Sequence, residues 1–204
     1  MVLEIDGVRI LTDPGYFTAQ AHTQVTGLDA ILVTHEHADH FHIESLQALV
    51  LNNLEVKIVT NSSVAKLITE AGINNPVSVV GDGESTQVKG LLIEGLGKEH
   101  ATIFETIGLV ENTAYLVAQK FYFPGDNFHA PERAVDVLAL PVAGPWMKMS
   151  EAVHFAQRVG ARVAFGVHDG MLVPSFRGFV GTAMKLFVPN TQYISLVDGE
   201  TREL

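Results

Sequence analysis

Four of the chain's nine histidines stand between positions 35 and 42, in the stretch HEHADHFH, with Asp39 among them. Imidazole and carboxylate are the nitrogen and oxygen donors of a divalent cation, and burying them is costly unless something pairs with them. The stretch follows an apolar run, AILVT, at residues 30–34. If the backbone stays extended past that run, His35 and His37 project to one side and can share a cation. The turn that follows can aim Asp39 and His40 at a second cation nearby. The chain has no cysteine. Thiolate sites and disulfides are therefore excluded, and any metal rests on His, Asp or Glu.

Three further residues fit the same chemistry. His100 follows LLIEGLGKE, Asp126 follows FYFPG, and His168 ends ARVAFGV. Each stands just past an apolar strand-like run and beside a glycine (Gly97, Gly125, Gly170), as a site built from loops on a sheet scaffold requires. Asp13, in TDPG, is a candidate for orienting a ligand histidine, with a simple turn as the competing reading. His42 lies one turn beyond the cluster, and an orienting role and a bland one are evenly matched for it. His22, His129 and His154 are expected at the surface. Trp146, Phe176 and Arg177 could line a pocket, with Arg177 as an anion contact; ordinary packing or surface charge accounts for them equally well.

The elements that must position these residues are short. VLEI and VRILTD flank an Asp-Gly pair, a strong hairpin signal. AILVT reads as a strand covered on both faces. The spacing of Ile43, Leu46, Leu49 and Val50 predicts a helix over 43–52. VKIVT (56–60) reads as a strand, and Ser62 or Ser63 as the cap of a helix ending near EAGI. Residues 77–96 read as strand, turn and strand, and 107–126 as two or three antiparallel strands. After VDVLALP (135–141) the pattern turns βαβ-like. A helix capped at Ser150 closes at Gly160, a strand ends at His168, GFVGTAMKLF forms a last helix and YISLV a last strand. The sum is a mixed α/β chain whose all-apolar strands need cover on both faces, which two sheets with helices outside would provide.

Composition narrows the function. The 204 residues are 47% hydrophobic and 18% charged, as for one globular domain spanning 1–204. Net charge is −10, which counts against a dedicated nucleic-acid partner. Bound cations would reverse that sign locally, so a small anionic substrate stays open. No apolar run reaches the length of a membrane span, and the N-terminal MVLEIDGVRILTDPG lacks the pattern of a signal peptide. The expectation is a cytoplasmic protein with a small-molecule substrate and no membrane partner.

HEHADH resembles the H-x-H-x-D-H motif of the metallo-β-lactamase superfamily. The order and spacing of the other candidates follow that family over nearly the whole chain. LPVAGPWMKMSEAVHFAQRVGARVAFGVHDG is most similar to the branch of ascorbate-6-phosphate lactonase-like, metal-dependent hydrolases. The resemblance implies a four-layer αββα sandwich with a binuclear site. It assigns His35, His37 and His100 to one metal, and Asp39, His40 and His168 to the other, with Asp126 and a hydroxide between them. Two divalent ions are implied, zinc by preference, with Mn2+ or Fe2+ as alternatives. The diiron flavoprotein relatives have a glutamate where this chain has His37, which argues against a redox iron pair. The implied reaction is attack by the metal-activated hydroxide on a small ester, lactone or phosphoester, with Asp39 orienting the nucleophile or shuttling its proton. Two rival readings are a mononuclear iron oxidoreductase on the same scaffold and a non-catalytic metal-binding domain. The inserted domain of the nucleic-acid-cleaving relatives and the helical region of glyoxalase II are not recognised here. The branch's additional first strand, with its Gly-His-Ser/Ala stretch, is also not recognised; its replacement, its supply by a partner chain and its loss stay open, and a homo-oligomer paired through a sheet edge is one of the readings.

Overall fold

The Asp6–Gly7 turn, with φ of 50° and 77°, closes a tight antiparallel hairpin between β1 (Val2–Ile5) and β2 (Val8–Thr12), pairing Val2 with Leu11 and Ile5 with Val8. The computed structural model describes residues 1–204. The chain divides into two compact units, Met1–His100 with Val110–Ala118, and Ala101–Leu109 with Gln119–Leu204.

In the first unit the hairpin leads into a five-stranded sheet of order β1-β2-β3-β4-β5, formed with β3 (Ala30–Val33), β4 (Lys57–Thr60) and β5 (Val77–Val79). Strands β2 to β5 run parallel, with Ile10 opposite Ala30, Ile31 opposite Ile58, and Ile58 opposite Val77. All four residues of β3 are buried, as its unbroken apolar sequence requires. Helices α2 (Ile43–Asn52) and α3 (Ser62–Glu70) cover one face; Leu46, Leu49, Val64 and Ile68 join Leu11, Ile31, Val33 and Ile58 in one core. Truncating any of these buried leucines or isoleucines to alanine costs about 2–5 kcal/mol. Strands β6 (Ser85–Val88), β7 (Leu91–Leu96) and β8 (Ala114–Val117) pair antiparallel. The buried Tyr115 of β8 donates its hydroxyl to Val33 O of β3 at 3.1 Å, tying these strands to the parallel sheet.

In the second unit β9 (Phe121–Phe123), β10 (Val137–Pro141), β11 (Val163–Val167) and β12 (Gln192–Ile194) are parallel. Helix α4 (Met149–Val159) links β10 to β11, and α5 (Pro174–Phe187) links β11 to β12. Helix α4 buries Ala152, Val153, Phe155, Ala156 and Val159 and ends at Gly160, whose φ is 62°. No helix is long and apolar enough to cross a membrane.

Several boundaries differ from the sequence reading, each for a local reason. The cap of α3 is Asn61 rather than Ser62 or Ser63: its Oδ1 accepts from Val64 N at 3.1 Å. Helix α4 starts one residue before Ser150, with Lys148 at the cap position and Lys148 N donating to Glu151 Oε2 at 2.6 Å. Helix α5 starts earlier than expected because Pro174 is preorganised for a first helical turn. Residues 77–96 hold three strands, not two.

Candidate metal centre

The chain leaves β3 at Val33 and turns at once. His40 N and Phe41 N both donate to His37 O, at 2.9 and 2.8 Å, so the motif folds as a tight turn ahead of α2. Gly15 makes this possible: a Cβ there would collide with the backbone carbonyl of Asp39. Within the first unit the turn brings His35 and His37 beside His100, which stands just past β7. The ring centroids are 4.9 Å apart for His35–His37, 5.0 Å for His35–His100 and 4.7 Å for His37–His100. One donor nitrogen from each of the three lies within 4.8 Å of the other two. His35 and His100 are buried and His37 is partly so. His100 is held from its backbone: its N donates to Val110 O at 3.0 Å, and Asn112 N donates to Lys98 O at 3.1 Å.

A polar relay sets the tautomers. Asp13 accepts Thr34 N on Oδ1 at 2.8 Å and Thr34 Oγ1 on Oδ2, also at 2.8 Å. The same Oδ2 lies 2.7 Å from His40 Nδ1. Thr34 Oγ1 lies 3.0 Å from His35 Nδ1. With its hydroxyl hydrogen spent on Asp13, Thr34 can only accept from His35. Both histidines then carry their proton on Nδ1, and Nε2 keeps the lone pair a cation needs. Asp13 reaches this position with a φ of 43°, a left-handed conformation that aspartate tolerates better than most residues. Asp13 thus holds the His40 ring in place through Nδ1. Asp39 Oδ2 lies 3.6 Å from His40 Nε2.

In the second unit Asp126 follows β9 in the PGDN turn and is buried. Its Oδ2 accepts from Trp146 Nε1 at 2.8 Å and lies 3.3 Å from His168 Nε2. Its backbone carbonyl accepts from Ala101 N at 2.8 Å. His168 stands just past β11 with a φ of 58°, a sparsely populated conformation of the kind that gathers at functional sites. Asp169, next in the chain, is paired with Arg177 at 3.1 Å. Burial is the main cause of the rise in its pKa.

The other residues singled out from the sequence fall as follows. Trp146 holds a carboxylate, a role its indole N–H could not announce from sequence alone. His42 contacts Ser45, at 2.9 Å, and Glu44, at 2.8 Å, on the first turn of α2. His129 and His154 are exposed as expected. His22 is not: it is 6% exposed, with Nδ1 3.2 Å from Thr18 Oγ1. Burial, then the N-terminal ammonium and His42, lower its pKa to about 4. Arg177 pairs with Asp169 and, at 3.9 Å, with Asp198, while Phe176 is exposed. Thr34 went unnoticed in the sequence, since a threonine ending a strand carries no distinctive signal.

Comparison with known proteins bears on the family and the fold. A family model described as "Beta-lactamase superfamily domain" matches residues 1–168, through both units. "Protein Rv0786c" of Mycobacterium tuberculosis is 34% identical over 183 residues, covering 87% of this chain and 84% of its own. A protein of Rubrobacter xylanophilus, "UPF0173 metal-dependent hydrolase", is 29% identical over 188 residues, covering 80% and 75%. Among solved structures, the metallo-β-lactamase fold protein YhfI of Bacillus subtilis superposes with a TM-score of 0.68 at 14% identity, covering 99% of this chain and 90% of that one. The α/β class with two sheets and flanking helices, expected from the residue pattern, is the fold of that structure. The chain belongs to the metallo-β-lactamase superfamily.

Proposed function

We propose that the chain is a binuclear metal-dependent hydrolase of a small ester, lactone or phosphoester, with zinc as the favoured metal. The observation that carries this reading is the cluster of His35, His37 and His100, three imidazoles with donor nitrogens within 4.8 Å of one another. Three neutral nitrogen donors leave open positions on zinc, as catalytic rather than structural sites do. Asp39 and His40 of the first unit, with Asp126 and His168 of the second, would supply the donors for the other cation, a set of the right number and chemistry. Two such ions supply Lewis acidity toward a substrate oxygen and toward an attacking water.

The chain's own groups do the rest. Asp13 and Thr34 fix which nitrogen of His40 and His35 faces the metals. Trp146 holds the Asp126 carboxylate in one orientation. Asp39, whose side chain is 32% exposed, would accept a proton from the attacking water. The kinship with a named metal-dependent hydrolase supports the same reading.

The test is metal analysis of protein purified without added metal, with turnover of p-nitrophenyl esters, lactones and bis-p-nitrophenyl phosphate. Two zinc ions per chain are expected, with kcat/KM falling by roughly a thousandfold or more in His37→Ala and Asp126→Ala, the scale of losing an electrophilic group at the reacting centre. A single iron per chain, or full metal loading with no turnover that Asp39→Ala could reduce, contradicts it.

A further inference from the structure

Two non-glycine residues leave a parallel strand with left-handed backbone: Asp13 after β2 and His168 after β11, with φ of 43° and 58°. Such a conformation persists where the surroundings over-determine it. Asp13 is held by its own carboxylate, bonded to Thr34 and His40. The chain then enters the 3-10 turn Tyr16–Thr18 and helix α1 (Ala19–His22). The His168 ring is committed instead to the candidate centre, 3.3 Å from Asp126 Oδ2, so its backbone must be held by its neighbours.

Residues 168–173 connect β11 to α5. Apolar packing does little to fix them, since Met171 and Val173 are 60% and 59% exposed. Polar contacts hold both sides of His168. On one side Val142 N donates to Val167 O at 3.1 Å. On the other, Asp169 O accepts from Leu172 N at 2.9 Å, and Asp169 Oδ2 lies 3.1 Å from Arg177 Nε. Arg177 stands on the first turn of α5, which Pro174 begins, so the helix fixes the stem of its side chain. Asp198 lies 3.9 Å from Arg177 Nη1, so the guanidinium is engaged by carboxylates. Asp169, Leu172, Arg177 and Tyr193 of β12 line one small cavity within the second unit. Gly166, two residues before His168, permits this packing: a Cβ there would lie 2.6 Å from the Tyr193 hydroxyl. Burial and then the Asp169 carboxylate raise that hydroxyl to about 12, so the ion pair is backed by a neutral group.

We infer that Asp169 and Arg177 are positioning residues, whose ion pair locks the turn after β11 and so keeps His168 in its metal-binding conformation. This rests on the reading of His168 as a metal ligand given above and names what fixes that ligand. A half-buried carboxylate that loses its guanidinium partner is left desolvated and unpaired. The turn then opens to rehydrate it, and the His168 backbone loses its constraint.

The experiment compares the full chain as wild type, Arg177→Ala, Arg177→Lys and His168→Ala, with two readouts. In metal-free protein, hydrogen exchange followed by NMR reports the Leu172 amide, which is bonded to Asp169 O. Arg177→Ala should speed its exchange about tenfold, the scale of one hydrogen bond between charged groups. The amides of β10 and α4 should keep their rates, and Arg177→Lys should recover part of the protection. Cobalt titration, followed by the visible bands of the bound ions, reports the metal. The ion lost in His168→Ala should bind about tenfold more weakly in Arg177→Ala, and closer to normally in Arg177→Lys, with the other ion unaffected. Equal weakening of both ions with a lowered melting temperature marks a merely structural role and overturns the inference. Unchanged exchange at Leu172 does the same. If wild type binds no ion that His168→Ala removes, the binuclear reading falls, and the exchange rates alone decide whether the pair locks the turn. If His168→Ala removes one ion while Arg177→Ala alters neither readout, this inference falls and that reading stands.

Discussion

The two units hold their candidate ligands by different means. In the first, polar groups do the work: Asp13 and Thr34 reach His35 and His40 through bonds of 2.7–3.0 Å, and the ligands come mostly from one six-residue stretch. In the second, Asp126 is oriented by an indole N–H from Trp146, 20 residues away, and His168 by a left-handed backbone. A carboxylate in a relay fixes both the position and the proton of its histidine. An indole fixes position alone. On the proposed reading, the first arrangement should govern metal affinity more strongly than the second.

Breaking the relay should have the larger effect. Asp13→Ala removes an acceptor shared by Thr34 and His40, and metal affinity, measured by competition with a chromophoric chelator, should fall about 10- to 100-fold. Asp13→Asn should recover part of the loss, since its amide oxygen can still accept one bond. Trp146→Phe keeps the ring packing against Phe128, whose centroid lies 5.1 Å away, but deletes the donor to Asp126. A loss of about tenfold or more in kcat/KM is expected for one hydrogen bond to a buried carboxylate. If Trp146→Phe costs more metal affinity than Asp13→Ala, the contrast between the units is reversed.

The smallest effect concerns the buried imidazole of His22. The folded pKa of His22, about 4, lies below its ordinary value of 6.5. The unfolded chain thus binds the proton more tightly than the folded one, and stability is full above pH 6.5 and declines as pH falls toward 4. Urea midpoints across that range should drop for wild type and drop less for His22→Leu. Parallel curves would remove His22 as a contributor.

The same contrast explains what was legible in the sequence. His35, His37, Asp39 and His40 stand together, so their residue types and spacing announced the first unit's half of the centre. Asp126 and His168 could be read only from their places past apolar strands. Their support was invisible, because Trp146 meets Asp126 through tertiary packing and Thr34 acts through one hydroxyl. Burial of His22 was not legible because a histidine after AQA shows no apolar periodicity; in the fold its Nδ1 meets Thr18 Oγ1 at 3.2 Å. The strands were legible wherever both faces are covered, as in β3. Helix caps were not: Asn61 outcompeted the serines beside it because its longer side chain reaches Val64 N. The family was legible from HEHADH, while the narrower likeness to the lactonase branch stays a resemblance of sequence alone.

Anomalous diffraction from crystals grown with zinc bears most directly on the central claim. The account expects two peaks per chain, about 3.5–4 Å apart, one bonded to His35, His37 and His100 and the other to Asp39, His40, Asp126 and His168. A single peak, or two peaks that leave Asp126 and His168 without a metal, would contradict it.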